Sequence, residues 1–466
     1  MKKVFLIFLV LAGGLCFSQN YEPIRYTGKI PESILFDPLS VSKDLIGKEK
    51  KLKPEDATRF YSYIYFEKKK LLTGPYIYYN DPISEYVHSV AKNLFANEPA
   101  ILDKIQVYVT RYPSPNAYSL PDGSIFINVG LISLLENEAQ LAFIIAHEYA
   151  HIAEKHSLDE ILKMNSIKDK EKNTLNPEGD VFRQLRFSRE NEFESDAKAL
   201  QYMAGSPYNS KESVNALKLL QDSMFLKFDN KIDFTYILPE ELMKDSTLFK
   251  KVSAKRKKND NFIFKQREYD DLFETHPALG SRITALEQIL DLSEYKTEGK
   301  IKNNIEADKI TKIKNICLYE MVENLFRDSD YFTSLYLSLK LAIDNPDQEF
   351  FYSLVLKNLY WLSYYKEIKS YEGVVSFQSY LQQKDYSKLY CLLNNAGLRD
   401  LRTMAYSFGK KHIEKLNKND EFYYYYALSS EMFLGKEAAG ILYKKYSLIF
   451  PQGRFINAVN SKLKWI

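Results

Sequence analysis

Histidine is scarce in this chain, with six in 466 residues, and cysteine is scarcer, with three. Cys317 and Cys391, the two cysteines beyond the apolar start, occupy no metal-ligand spacing. They are left as one disulfide or two buried free thiols. Neither sign of charge is in excess: 64 basic residues face 61 acidic ones, so no global field favours nucleic acid or an anionic membrane. After the first 18 residues no stretch approaches the apolar length that spans a bilayer, so no transmembrane anchor is expected in the mature chain. With 45% hydrophobic and 27% charged residues, the composition is that of a folded protein, long enough for two or three domains.

What is present begins with a leader. Residues 1–18 carry Lys2 and Lys3, an apolar stretch from Val4 to Leu15 and small residues before Gln19, the form of a secretory signal peptide. Leu15 stands where an acylated Cys16 would need a small residue before it, which argues against a lipoprotein. The mature chain is therefore expected in the periplasm or outside the cell. Residues 19–74 form an N-terminal arm whose first part is polar, with Pro23, Pro31 and Pro38 spaced through it.

Two of the six histidines fall in His147-Glu148-Tyr149-Ala150-His151. On a helix they are one turn apart, ~6 Å along the axis on one face, so both imidazoles reach one metal ion. Glu148 projects about 100° round the helix, where it can hold a water on that ion. The pattern points to a zinc-dependent hydrolase with one zinc per chain. Asn137 caps this helix with Gln140 three residues on, and the run from Leu141 to Ala146 is apolar all round, the mark of a buried helix. His156, five residues beyond His151, is off the shared face and reads as a helix-end residue.

A zinc held by two histidines needs a third protein ligand and one open position. The segment Ser188 to Ala197 offers Glu190, Glu192, Glu194 and Asp196. Glu192 and Asp196 share a helical face, so one can bind metal while the other supports a ligand.

Upstream, Asp81 and Pro82 open a helix with Glu85 near a capping-box place, and His88 on it reads as structural. Ile105, Val107 and Val109 alternate with polar residues, and the turn Leu120 to Ser124 leads into Ile125-Phe126-Ile127-Asn128-Val129. A hairpin or small sheet is expected just before the motif helix. Ile125, Phe126, Ile127 and Asn128 are its substrate-binding candidates, a strand against which a peptide could add.

These residues resemble a known family, the HtpX and CAAX prenyl protease family of zinc metalloendopeptidases, metallopeptidase family forty-eight. The likeness is to its BepA-like secreted branch with a tetratricopeptide-like tail. Asn116-Ala117-Tyr118 through Gly130-Leu131, the His147-Glu148-x-x-His151 motif, and Ser188-Arg189 with Glu192-x-x-Ser195-Asp196 carry it, with Ser195 where the family usually has alanine. The resemblance implies Glu192 as third zinc ligand and Asp196 as partner of a ligating histidine. Thr275-His276-Pro277, followed by Arg282, resembles a further family element whose histidine comes near the metal, to occlude its open position or stabilise the oxyanion. The implied substrate is a polypeptide, an unfolded or misassembled envelope protein.

Lys250-Lys251 and Lys255 to Lys258 read as a solvated insertion, without a nucleic-acid role. Beyond residue 300 the chain is Tyr-, Leu- and Lys-rich and helical in pattern. Pro346 and Pro451 each close an apparent helix and stand 105 residues apart, three periods of 35. Ala427, Ala439 and Tyr443 suit the small and aromatic positions of such a repeat, and Tyr423 to Tyr426 read mainly as packing residues.

The expected architecture is mixed α/β and predominantly α-helical. A zincin-type metalloprotease domain over residues 75–299, with a small sheet flanking the motif helix, precedes an α-helical repeat domain over 300–466. A different reading makes the chain an envelope chaperone or adaptor working through its tail, with a latent protease site.

Overall fold

A computed structural model describes residues 20–26, 29–32, 54–156, 159, 188–222, 231–244, 276, 279–292, 302–305, 307–375 and 384–465. The leader 1–18, most of the arm between 27 and 53, the loop 165–180 and the basic cluster 250–258 lie outside the described residues. The fold is mixed α/β and mostly helical, with one four-stranded sheet.

The last part of the arm is a helix, α1 (Pro54–Thr73). After strand β1 (Ile77–Tyr78) comes α2 (Pro82–Leu94). Asp81 caps α2 by accepting from Ile83 N (2.9 Å) and Ser84 N (3.2 Å), and the capping box closes on Ser84 rather than Glu85. Strands β2 (Gln106–Thr110), β3 (Ala117–Ser119) and β4 (Ser124–Asn128) complete the sheet in the order β1-β2-β4-β3. The β3–β4 pair is the hairpin expected from the turn at 120–124, and β2 runs parallel to β4 with Val107 opposite Ile125. Gly123 makes the turn possible: its φ is 94°, and a Cβ there would lie 2.1 Å from Lys104 O.

Both faces of the sheet are covered, and the pleat sorts the side chains. Ile125 and Ile127 of β4 enter the main core, whereas Phe126 enters a smaller core with Tyr118 and with Tyr61, Ile64 and Tyr65 of α1. A buried ion pair, Lys68 Nζ to Asp122 Oδ2 at 2.6 Å, ties α1 to the hairpin turn. His88 is structural, its Nε2 2.7 Å from Val107 O.

From β4 the chain enters α3 (Val129–Leu134), then the motif helix α4 (Glu138–Ala153). Gly130 of α3 passes so close to the preceding loop that a Cβ would fall 1.9 Å from Pro113 O. Asn137 caps α4 by accepting from Gln140 N at 3.1 Å, and apart from Tyr149, Ile152 and Ala153 the helix is buried. Helices α5 (Arg189–Ala204), α6 (Glu212–Asp222) and α7 (Leu279–Leu292) pack round it: α4 meets α5 and α6, and α7 meets α5 and α6.

The tail begins with α8 (Ala307–Arg327), which packs on α3 and α2 within one continuous hydrophobic core. The short stretch 302–305 also joins the two regions, since Ala139 N donates to Asn303 O (2.9 Å) and Ile305 N to Glu138 Oε2 (2.7 Å) at the start of α4. Next come α9 (Tyr331–Asp344), α10 (Glu349–Glu367), α11 (Lys384–Asn395), α12 (Leu398–His412), α13 (Asp420–Leu434), α14 (Lys436–Ile449) and α15 (Ile456–Leu463). α9 packs on α10, α10 on α12 and α13, and α12 to α15 each on the next. Ala427, Ala439 and Tyr443 are fully buried where α13 meets α14, and Tyr423, Tyr425 and Tyr426 are buried with them. Cys317 on α8 and Cys391 on α11 are not joined in a disulfide.

Candidate metal centre and active site

Helix geometry places the first two donors. His147 and His151, one turn apart on α4, bring their Nε2 atoms to 3.0 Å of each other. Glu192, on the first turn of α5, faces them: its Oε1 is 3.3 Å from His151 Nε2 and its Oε2 3.6 Å from His147 Nε2. Ser188 starts α5 by accepting from Asn191 N at 3.2 Å, and this start fixes which face of α5 meets α4. His276 comes from a distant part of the sequence, with Nδ1 3.0 Å from Glu192 Oε1 and Nε2 3.6 Å from Glu148 Oε1. One donor atom from each of His147, His151, Glu192 and His276 lies within 4.8 Å of the others.

The donor set fits a zinc ion. Nitrogen and carboxylate oxygen are its ordinary ligands, and imidazoles bind it only when neutral. Burial lowers the pKa of His151 to about 3, against the pull of the Glu192 carboxylate, so this ring stays neutral at ordinary pH. Among the described residues, Glu148 Oε2 is buried with no hydrogen-bond partner.

The outer contacts orient the donors. Asp196 Oδ1 lies 2.9 Å from His147 Nδ1. Arg282 of α7, itself 2% exposed, donates from Nε and Nη2 to the two oxygens of Asp196, both at 2.7 Å, while its Nη1 lies 2.5 Å from Glu192 Oε2. One guanidinium therefore holds the carboxylate that faces His147 and the carboxylate of the donor group. Burial would raise the pKa of Glu192 and Asp196, yet Arg282 beside them brings both below the usual carboxylate range. For His276, burial pulls the pKa down, but the Glu192 carboxylate outweighs it and raises the value to about 9.

His156 belongs here too, which its reading as a helix-end residue missed. α4 stops at Ala153, and Lys155 takes a left-handed φ of 61°, so the chain folds back. That reversal puts His156 Nδ1 3.3 Å from His151 Nδ1 and 3.2 Å from Ser195 Oγ, with Nε2 3.2 Å from Glu194 Oε2. The Ser195 hydroxyl, where an alanine was the expected residue, thus has a partner.

The expectation for Ile125, Phe126, Ile127 and Asn128 needs correction. β4 is paired on both sides, by β2 and β3, and all five of its residues are buried, so its main chain offers nothing to a peptide. The strand bordering the site is β3, which pairs only with β4 among the described residues. His276 Nε2 lies 3.4 Å from Ala117 O on that strand. Asn116, Ala117, Phe143, Leu131 and Leu217 line a cleft that also contains His147, Glu148, His276 and Arg282.

Comparison with known proteins agrees with this geometry. Residues 82–169 and 176–290 match the model of Peptidase family M48. Residues 82–290 are thus similar to a peptidase family M48 domain. Over 80 residues it is 36% identical to the mitochondrial metalloendopeptidase OMA1 of Schizosaccharomyces pombe, covering 17% of this chain and 24% of that protein. Over 195 residues it is 22% identical to the beta-barrel assembly-enhancing protease of Escherichia coli O157:H7, covering 36% of this chain and 39% of the relative. The Yersinia pestis protein of the same name is 25% identical over 93 residues, covering 20% and 19%. The chain thus spans between a fifth and two fifths of the length of these relatives. The M48 match contains every donor of the group and Arg282, and it ends at residue 290, before the tail. Among the described residues no helix is long and apolar enough to cross a membrane.

Proposed function

We propose that this chain is a zinc metalloendopeptidase that works in the periplasm or outside the cell on unfolded or misassembled envelope proteins. The observation that carries the reading is the four-donor group, its His147, His151 and Glu192 buried, beside a carboxylate oxygen of Glu148 that has no partner among the described residues. His147, His151 and Glu192 are the residues to hold zinc, with Asp196 and Arg282 orienting them. Zinc, when bound, supplies a Lewis acid that lowers the pKa of a water and polarises a carbonyl. Glu148 is the general base: it accepts the proton of the attacking water and returns it to the leaving amine. The outer edge of β3, at Ala117 beside the cleft, is suited to align an extended peptide, and the apolar side chains of the cleft exclude water around it.

The beta-barrel assembly-enhancing proteases among the relatives favour envelope protein quality control as the setting, together with the leader-like residues 1–18. The helical tail supports a repeat domain that presents clients to the cleft. The proposal is tested with the purified chain and an unfolded polypeptide. Chelation should abolish cleavage and stoichiometric zinc restore it; cleavage that persists without metal contradicts the reading.

A second reading, in which the tail does the work and the protease is held shut, is favoured by His276. This ring stands in the donor group and against the edge of β3 at once, so it covers both the metal's remaining place and the place of a substrate strand. His276→Ala should then raise basal proteolysis severalfold, measured on the same unfolded polypeptide. A flat rate makes His276 a loop-to-helix boundary residue, and a lower rate makes it a residue of the reaction itself; either removes the closed-site reading.

A further inference from the structure

Residues 20–26 touch parts of the chain far away in sequence. The Tyr21 ring stands edge-on to Tyr319 and Phe350, with centroids 5.0 and 5.2 Å away, and its main-chain N–H donates to Gln348 Oε1 at 2.9 Å. Its hydroxyl donates to Glu320 Oε1, and Ile24 N–H donates to the same oxygen at 2.6 Å. Arg111 Nη1 donates to Ile24 O at 2.9 Å.

Glu320 is fully buried on α8, and its other oxygen accepts from Tyr78 of β1 at 2.7 Å and from Arg111 at 3.3 Å. A carboxylate at that depth is costly unless donors surround it, and two of its four donors come from the segment. The remaining walls come from two sides, with Tyr78 and Arg111 from the sheet region and Tyr319, Glu320, Gln348 and Phe350 from the tail.

We propose that this is a peptide-binding site between the sheet and the first tail helices, filled by the chain's own residues Tyr21 to Ile24. It recognises an extended segment with a tyrosine three residues before an aliphatic residue. The aromatic box and Glu320 read the phenol, while Glu320, Arg111 and Gln348 read the main chain. Filling it fastens the tail to the sheet, because the segment bonds to both. The site shares no residue with the metal centre, so it stands or falls separately from the proposed protease activity.

The test uses a chain that starts at residue 29 and a fluorescent synthetic peptide of residues 20–28. The shortened chain should bind one peptide saturably, and the full mature chain none, because its site is filled. A Tyr21→Phe peptide, lacking a hydrogen bond to a charged group, should bind about tenfold more weakly. A folded shortened chain that binds nothing at millimolar peptide overturns the proposal, as does equal binding of the Phe peptide.

Should the shortened chain not fold, a specific protease sequence inserted between residues 40 and 50 of the intact chain replaces it. After cleavage the N-terminal fragment should co-elute with the remainder and leave faster when it carries Tyr21→Phe. Immediate loss of the wild-type fragment, or identical release of the two, overturns the proposal.

Discussion

Arg282 is the residue on which the outer part of the metal centre converges. It is bidentate to Asp196 and reaches Glu192 with its remaining nitrogen, so removing it frees two buried carboxylates at once. Arg282→Gln should lower zinc affinity by about 10–100-fold in competition with a chelating dye, the usual cost of losing a partner of the ligands. Arg282→Lys should recover only part, since one ammonium cannot span both carboxylates. Unchanged affinity in the Gln variant would mean that α5 alone positions Glu192. His276 adds a pH signature to its role. Its folded-state value of about 9 exceeds the usual 6.5, so its charged form contributes stability present below about pH 6.5 and lost as pH rises through about 9. In chelated protein, His276→Ala should therefore flatten the fall in unfolding temperature over that window. The two histidines of α4 were legible in the sequence because helix periodicity is local. Arg282 was visible only as part of a resemblance, because its contacts span 86 residues to Asp196, and His156 was misread because one left-handed residue, Lys155, reverses the chain.

Among the elements, α8 does more than open the tail. Ile310, Ile313, Cys317, Met321 and Val322 are buried on it, and it packs against α3 and α2 beside the sheet. Burying such a side chain contributes roughly 1.5–3 kcal/mol, so the helix carries an amount comparable with a whole domain's stability. A chain ending at residue 300 also loses Asn303 and Ile305, which meet the first turn of the motif helix. It should therefore lose cooperative thermal unfolding, whereas a chain ending at residue 330 should keep it; equal behaviour of the two would contradict this role. The hairpin and the start of α2 could be read from turn and cap residues, since these act within a few positions. The strand order could not: period-two alternation places Ile125 and Ile127 on one face but does not say that β4 is flanked on both sides, and so a substrate strand was expected at β4, which has no open edge. Nor does a change in composition near residue 300 show that 302–305 reaches back to the motif helix.

At the scale of the whole molecule, one hydrophobic core runs from the sheet through the motif helix into the tail. The metal centre sits inside the part that matches the M48 model, and the segment 20–26, which precedes that part in sequence, bonds to both the sheet region and the tail. The donors, their orienting carboxylate and guanidinium, and the carboxylate of Glu148 are all assembled by this one chain. The central claim is that these residues hold zinc and that Glu148 moves the proton. The most direct measurement is zinc content per chain together with cleavage of an unfolded polypeptide, for the wild-type protein and Glu148→Gln. The account predicts one zinc in both and a loss of cleavage of at least about 10²-fold in the variant. Undiminished cleavage by Glu148→Gln, or a wild-type chain that takes up no zinc, would contradict it.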